Sequence, residues 1–158
     1  MKQSMRVVLS LMLALMLVFT ACTGQATATD TELQYMTAEE TKQAMESGSD
    51  EYVFLDVRQA ESYEEGHVEG FALADMHEAN KNGDMEDGKA KMTEALGTDA
   101  PSSDKKYVLL CYSGKSYAQA GTDVLVDELN VDPDSVYTLE GGMEAWMDAG
   151  EEYQEMVK

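Results

Sequence analysis

The feature that most constrains this chain is a junction. The apolar run Tyr107-Val108-Leu109-Leu110 leads straight into Cys111-Tyr112-Ser113-Gly114-Lys115-Ser116, and a segment with helical spacing, Ala118 to Leu129, leads out. A buried strand that opens through a short turn into a helix is the unit from which parallel sheets are built. Successive N–H groups of such a turn can point at one spot, and the positive end of the helix dipole adds to them. A sulfur held there, with Lys115 as the one cation of the loop, is favoured in its thiolate form. Cys111 is therefore the candidate nucleophile. The small, polar residues that follow it argue against burial, so the expectation is an accessible thiol in a surface loop. Ser113 and Ser116 can donate hydroxyl hydrogen bonds to a ligand or cap the helix.

The rest of the chain reads as the same unit repeated. Leu33 to Met36 is a short extended segment, followed by Thr37-Ala38-Glu39-Glu40, a capping box that starts a helix running to about Gly48. Tyr52 to Val57 is an apolar strand, Ala60 to Glu65 a short helix stopped by Gly66, and Phe71 to Ala74 a short strand. His77 to Asp104 is hard to read, with turn signals at Asn82-Gly83, Asp87-Gly88 and Pro101 and a helical pattern over Met85 to Leu96. Val136 to Leu139 is a last strand and Gly142 to Asp148 a short helix, with Glu151 to Lys158 as a polar tail. Strands alternating with helices predict an α/β fold with a parallel sheet, its ligands bound beyond the carboxyl ends of the strands.

The first 21 residues lie outside that pattern. Lys2 and Arg6 precede a 13-residue apolar run, Val7 to Phe19, too short for a membrane helix and suited to a signal-peptide core. The run ends in Phe19-Thr20-Ala21-Cys22, small residues before a cysteine as in a bacterial lipoprotein box. The expectation is a signal peptide over 1–21, a lipidated Cys22, a flexible tether over 22–31 and one domain over 32–158. Two acyl chains on Cys22 would anchor the protein stably to the membrane of a bacterial cell envelope, on the extracytoplasmic side. The chain has two cysteines, so lipidation of Cys22 leaves Cys111 as the single thiol, with no intramolecular disulfide. Loss of Lys2 and Arg6 takes the formal charge from −20 to −22. So acidic a protein is no nucleic-acid binder, and nothing in the sequence requires more than a monomer.

Four separated motifs give the chain a family resemblance. Leu55-Asp56-Val57-Arg58, Gly66-His67-Val68-Glu69-Gly70, the Cys111 loop, and Leu139-Glu140-Gly141-Gly142-Met143-Glu144-Ala145-Trp146 follow in the order in which the rhodanese sulfurtransferases carry their LDVR strand end, GHI-x-G turn, active-site loop and L-x-GG-x-x-x-W signature. The chain resembles a single-domain member of that family. The resemblance implies a rhodanese-like α/β fold, with about five strands in a mostly parallel sheet and helices on both faces. It also implies a persulfide cycle: Cys111 takes a sulfane sulfur from a small donor such as thiosulfate and passes it to a thiol or cyanide, without metal or organic cofactor.

In that cycle the N–H groups of Tyr112, Ser113, Gly114, Lys115 and Ser116 would bind the transferred sulfur. Asp56 and Arg58 would form an ion pair supporting the loops around the site. His67 would satisfy backbone groups in its turn, Tyr63 and Trp146 would belong to core or wall, and His77 would be exposed. Gly141 and Gly142 suit a tight turn or a close approach to the active loop. Two departures stand out. Many members carry arginine at or just after the position of Lys115, and Phe71-Ala72-Leu73-Ala74-Asp75 replaces the usual Ala-x-Asn-Ile-Pro. The rival readings are a persulfide carrier or redox-sensing module, and a cysteine phosphatase of related fold. The phosphatase needs an arginine six positions after the cysteine, where this chain has Tyr117.

Overall fold

The computed structural model describes residues 31–158; the expected signal peptide, Cys22 and nearly all of the tether lie outside the described residues. In chain order the elements are β1 (Gln34–Met36), α1 (Ala38–Glu46), β2 (Tyr52–Asp56), α2 (Ala60–Glu65), β3 (Ala72–Leu73), α3 (His77–Asn82), α4 (Met85–Leu96), β4 (Lys106–Leu110), α5 (Ser116–Asp123), β5 (Val136–Leu139), α6 (Gly142–Asp148) and α7 (Glu151–Gln154). The five strands form one sheet in the order β1-β5-β4-β2-β3, and every pairing between them is parallel. This is the rhodanese-like α/β architecture expected from the motifs.

Alternation along the strands feeds two apolar layers. Leu55, Val57, Tyr107, Leu109, Val124 and Leu125 pack on one face; Leu110, Leu139, Val68, Phe71, Trp146 and Tyr153 pack on the other. Helices α3, α4 and α5 contact one another beside the first layer. Helix α1 supplies Ala38 and Met45 to the second, and α6 and α7 supply Trp146 and Tyr153. Trp146 turns its indole N–H onto the Tyr153 carbonyl at 2.9 Å, so its one polar atom is satisfied in the core.

Local chemistry explains most element ends. Thr37 Oγ1 accepts from Glu40 N at 3.2 Å and Glu40 Oε2 accepts from Thr37 N at 2.9 Å, both halves of the expected capping box. Two regions differ from expectation. Helix α3 falls in the hard-to-read segment; only Ala79 of its six residues is buried, so it has no apolar stripe to read. The helix begun by α5 widens into a π-type stretch over Val124–Glu128, and Leu129 N reaches back five residues to Val124 O at 3.1 Å. The tail beyond α7 is also held down. His67 and Lys158 exchange backbone hydrogen bonds of 3.0 and 2.9 Å, around an antiparallel bridge between Val68 and Val157.

Candidate functional site

The strand order reverses direction between β2 and β4: the chain leaves β2 for β3 on one side and leaves β4 for β5 on the other. The crevice beyond the carboxyl ends of such a pair is where parallel α/β sheets bind ligands. Asp56, Arg58 and Cys111 all sit there, and Val57 N donates to Leu110 O at 2.8 Å across the gap.

The β2 side is built around a fully satisfied ion pair. Asp56 is 0 % exposed and Arg58 5 % exposed. Arg58 Nε donates to both Asp56 oxygens at 3.0 and 3.1 Å and Nη2 donates to Oδ2 at 2.6 Å. Arg58 N closes onto Oδ1 at 3.0 Å, and Nη2 also reaches the Gly66 carbonyl at 2.8 Å, which ties the GHI-x-G-like turn to the end of β2. A buried pair of this kind fixes geometry, because removing one partner strands a charge. His67 stacks on Tyr63 at 3.8 Å between ring centroids, and its Nδ1 lies 3.0 Å from Tyr63 O. It serves its turn, as expected.

The β4 side is built differently. None of the backbone N–H groups from Tyr112 to Ser116 donates to a protein acceptor among the described residues. The carbonyls are occupied instead: Met143 N donates to Cys111 O at 2.8 Å and Glu144 N to Tyr112 O at 3.2 Å. The first turn of α6 thus holds the loop by its oxygens and leaves its N–H groups unspent. Glycines make that approach feasible. A Cβ on Gly142 would stand 2.4 Å from Cys111 O and 2.7 Å from Ser113 N, and one on Gly114 would stand 2.8 Å from Leu139 O. Both glycines also have positive φ, 60° and 69°.

Cys111 is a free cysteine, but it is 1 % exposed, against the expectation of an accessible thiol. The reason is the strand's own period of two: Tyr107, Leu109 and Cys111 share one face, and all three belong to the layer with Tyr117 and Ala118. Lys115 is exposed and forms no ion pair among the described residues. The expected helix cap by serine is not made. Lys115 occupies the N-cap position of α5 with no side-chain cap bond, and Ser116 is the first helical residue.

Sequence reasoning missed a polar cluster around the loop. Tyr112 OH lies 2.9 Å from Ser62 Oγ and accepts from Gln59 N at 3.3 Å. Its ring meets Tyr117 edge-on at 5.2 Å and lies 5.9 Å from the Arg58 guanidinium. His77 is half-buried rather than exposed, with Nδ1 2.8 Å from Tyr117 OH. Burial pushes the Tyr117 phenol above its ordinary pKa, with smaller upward contributions from Tyr112, Asp75 and Cys111. Asp75, in the segment that departs from the family pattern, accepts from His77 N at 2.8 Å and from Ala60 N at 3.0 Å, joining the starts of α3 and α2. The readable signal was the spacing Asp75-x-His77, an Asx-type turn ahead of a short helix.

A cavity of about 440 Å³ adjoins the loop, lined by Arg58, Tyr112, Met143, Glu144, Met147 and Asp148. A larger one, about 600 Å³, lies toward the amino ends of β2 and β4 beside Tyr52 and Lys106 and holds no candidate nucleophile. Among the described residues no group of three His, Cys, Asp or Glu side chains could hold a metal ion.

Known proteins share this fold. The family model for the rhodanese-like domain matches residues 37–149. The chain is similar in fold to the rhodanese-like domain of an Anabaena protein, at 20% identity and a TM-score of 0.54, covering 75% of this chain and 76% of that one. It is similar to a full-length Lactobacillus plantarum protein at 19% identity and a TM-score of 0.55, covering 79% and 87%. It is also similar to part of a thiosulfate sulfurtransferase from Pseudomonas aeruginosa, at 18% identity and a TM-score of 0.50, covering 75% of this chain and 19% of that one. No curated protein matches the chain in sequence. The matched model spans well over half the chain, from the α1 cap past the end of α6, and takes in all four motifs: the chain belongs to the rhodanese-like domain family.

Proposed function

We propose that this protein is a sulfurtransferase that carries a sulfane sulfur on Cys111. The Sγ thiolate attacks the outer sulfur of a donor such as thiosulfate; the donor S–S bond breaks and sulfite leaves with its electron pair. A thiol or cyanide then attacks the outer sulfur of the persulfide, and the electron pair of that S–S bond returns to Sγ. Each step is a displacement at sulfur, so no metal or organic cofactor is called for. The observation that carries the reading is the run of N–H groups from Tyr112 to Ser116 without a protein acceptor among the described residues, directly after the one free cysteine of those residues. Such a run suits an anionic sulfur held next to Sγ. Replacement of Cys111 by serine tests it: transfer from thiosulfate to cyanide should vanish, and retained transfer would end the proposal.

A second reading, a persulfide carrier that exchanges sulfur with a partner protein, draws support from the burial of Cys111. A thiol so screened reacts slowly with bulk reagents. Turnover of free thiosulfate and cyanide favours the enzyme; transfer from a protein donor alone favours the carrier. For location we propose a lipid anchor at Cys22, on the extracytoplasmic side of a bacterial membrane, for a monomer. Cys22→Ala should release the protein to the soluble fraction or stall its processing, and unchanged membrane retention would contradict the anchor.

A further inference from the structure

Helix α6 presents two faces. Gly142 and Trp146 point to the loop and the core, while Met143, Met147, Glu144 and Asp148 line the cavity beside Tyr112. Their spacing sets two parallel rows of i, i+4 neighbours, one thioether row and one carboxylate row. The cavity meets the reacting loop at Tyr112; Cys111 itself is not among its lining residues. Tyr112 is bonded to Cys111, and the N–H groups of Met143 and Glu144 are the ones that hold the Cys111 and Tyr112 carbonyls. Its charge is one-sided. The guanidinium of Arg58 is bound to Asp56, whereas Glu144 and Asp148 make no ion pair among the described residues. The cavity has a volume of about 440 Å³, and it opens to solvent on the side of Glu144, Met147 and Asp148, which are exposed.

We infer that this cavity is the acceptor subsite, and that it takes a small thiol with an apolar body and a neutral or cationic head while rejecting anionic thiols. The inference rests on the sulfur-transfer reading and names the substrate class of its second step. Methionine side chains adapt to an apolar body, and two carboxylates at the wall favour a positive head and repel a negative one. In that step the bound thiolate sulfur bonds to the outer sulfur of the Cys111 persulfide, the S–S bond to Sγ breaks, and its electron pair stays on Sγ.

The test separates charge selection from sulfur transfer. Full-length protein is treated with methanethiosulfonates bearing an ammonium, a neutral methyl or a sulfonate group. The Cys111 thiolate attacks the sulfenyl sulfur and methanesulfinate leaves with the electron pair. Labelling is read at the Cys111 peptide by mass spectrometry and scaled to each reagent's rate with a free thiol. The ammonium reagent should react about tenfold faster than the sulfonate. Glu144→Gln with Asp148→Asn should bring that ratio close to one. Glu94→Gln with Asp104→Asn, which makes the same change in net charge at exposed positions elsewhere, should leave it unchanged. Equal rates, equal loss of the ratio in both double variants, or no labelling at Cys111 would each overturn the subsite. Persulfide-loaded protein should then give up its sulfur faster to cysteamine than to 3-mercaptopropionate. If the reagents show the expected order but no persulfide forms, charge selection at the cavity stands, and the sulfur-transfer reading falls together with the acceptor role.

Discussion

The loops that leave β2 and β4 lie side by side and treat their polar atoms in opposite ways. After β2, Arg58 reaches both oxygens of Asp56 and the Gly66 carbonyl, and the pair is buried. After β4, five successive N–H groups have no protein acceptor among the described residues, while the Cys111 and Tyr112 carbonyls are held by α6. Buried polar groups are normally satisfied by the protein itself, so the first loop is completed by folding, while the second keeps the free donors that the proposed sulfur site needs. The difference teaches which one to perturb for stability and which for chemistry.

The largest effect is expected on the β2 side. Asp56→Ala leaves the Arg58 guanidinium buried without its carboxylate, and should lower stability by about 3–5 kcal/mol in denaturant titration. Residual activity should scale with the folded fraction. A stable Asp56→Ala protein with lost turnover would break the comparison, since it would put Asp56 in the chemistry. The next effect belongs to the β4 side. Gly142→Ala places a methyl 2.4 Å from Cys111 O in a backbone region with φ of 60°. It should lower stability by about 1–2 kcal/mol but cut sulfur transfer about a hundredfold by displacing the loop. Equal losses from stability alone would mean that the loop tolerates movement.

The smallest effect sharpens the electrostatics. Lys115→Gln should slow reaction with thiosulfate about fivefold, the value of one exposed charge at contact distance in water. In the parent, the acidic surface implied by a net charge of −20 should repel the same anion at range. Screening lengths fall from ~30 Å at 0.01 M salt to ~8 Å at 0.15 M, so kcat/KM for thiosulfate should rise over that interval. A steep fall would mean that local positive charge governs the approach.

Legibility in the sequence follows the same division. Strand β4, the turn and α5 could be read because an apolar run meets a helical period at one cysteine. The α1 cap could be read because Thr37 and Glu40 act on their own backbone. The Asp56–Arg58 pair came from a motif and is also local, two residues apart. What depended on distant chain was opaque. The bond of His77 to Tyr117 joins residues 40 positions apart, and the Asp75 contact with Ala60 joins residues 15 apart. Helix α3 offers no apolar face. The burial of Cys111 was legible in principle, from its period-two alignment with Tyr107 and Leu109, but the polar residues after it argued the other way.

The central claim is that Cys111 itself holds the sulfur, and mass spectrometry of the full-length protein after brief exposure to thiosulfate tests it most directly. The account predicts a gain of one sulfur atom on the peptide that contains Cys111, lost again on addition of cyanide. An unmodified Cys111 peptide from folded protein, or sulfur found only on the peptide that contains Cys22, would contradict it.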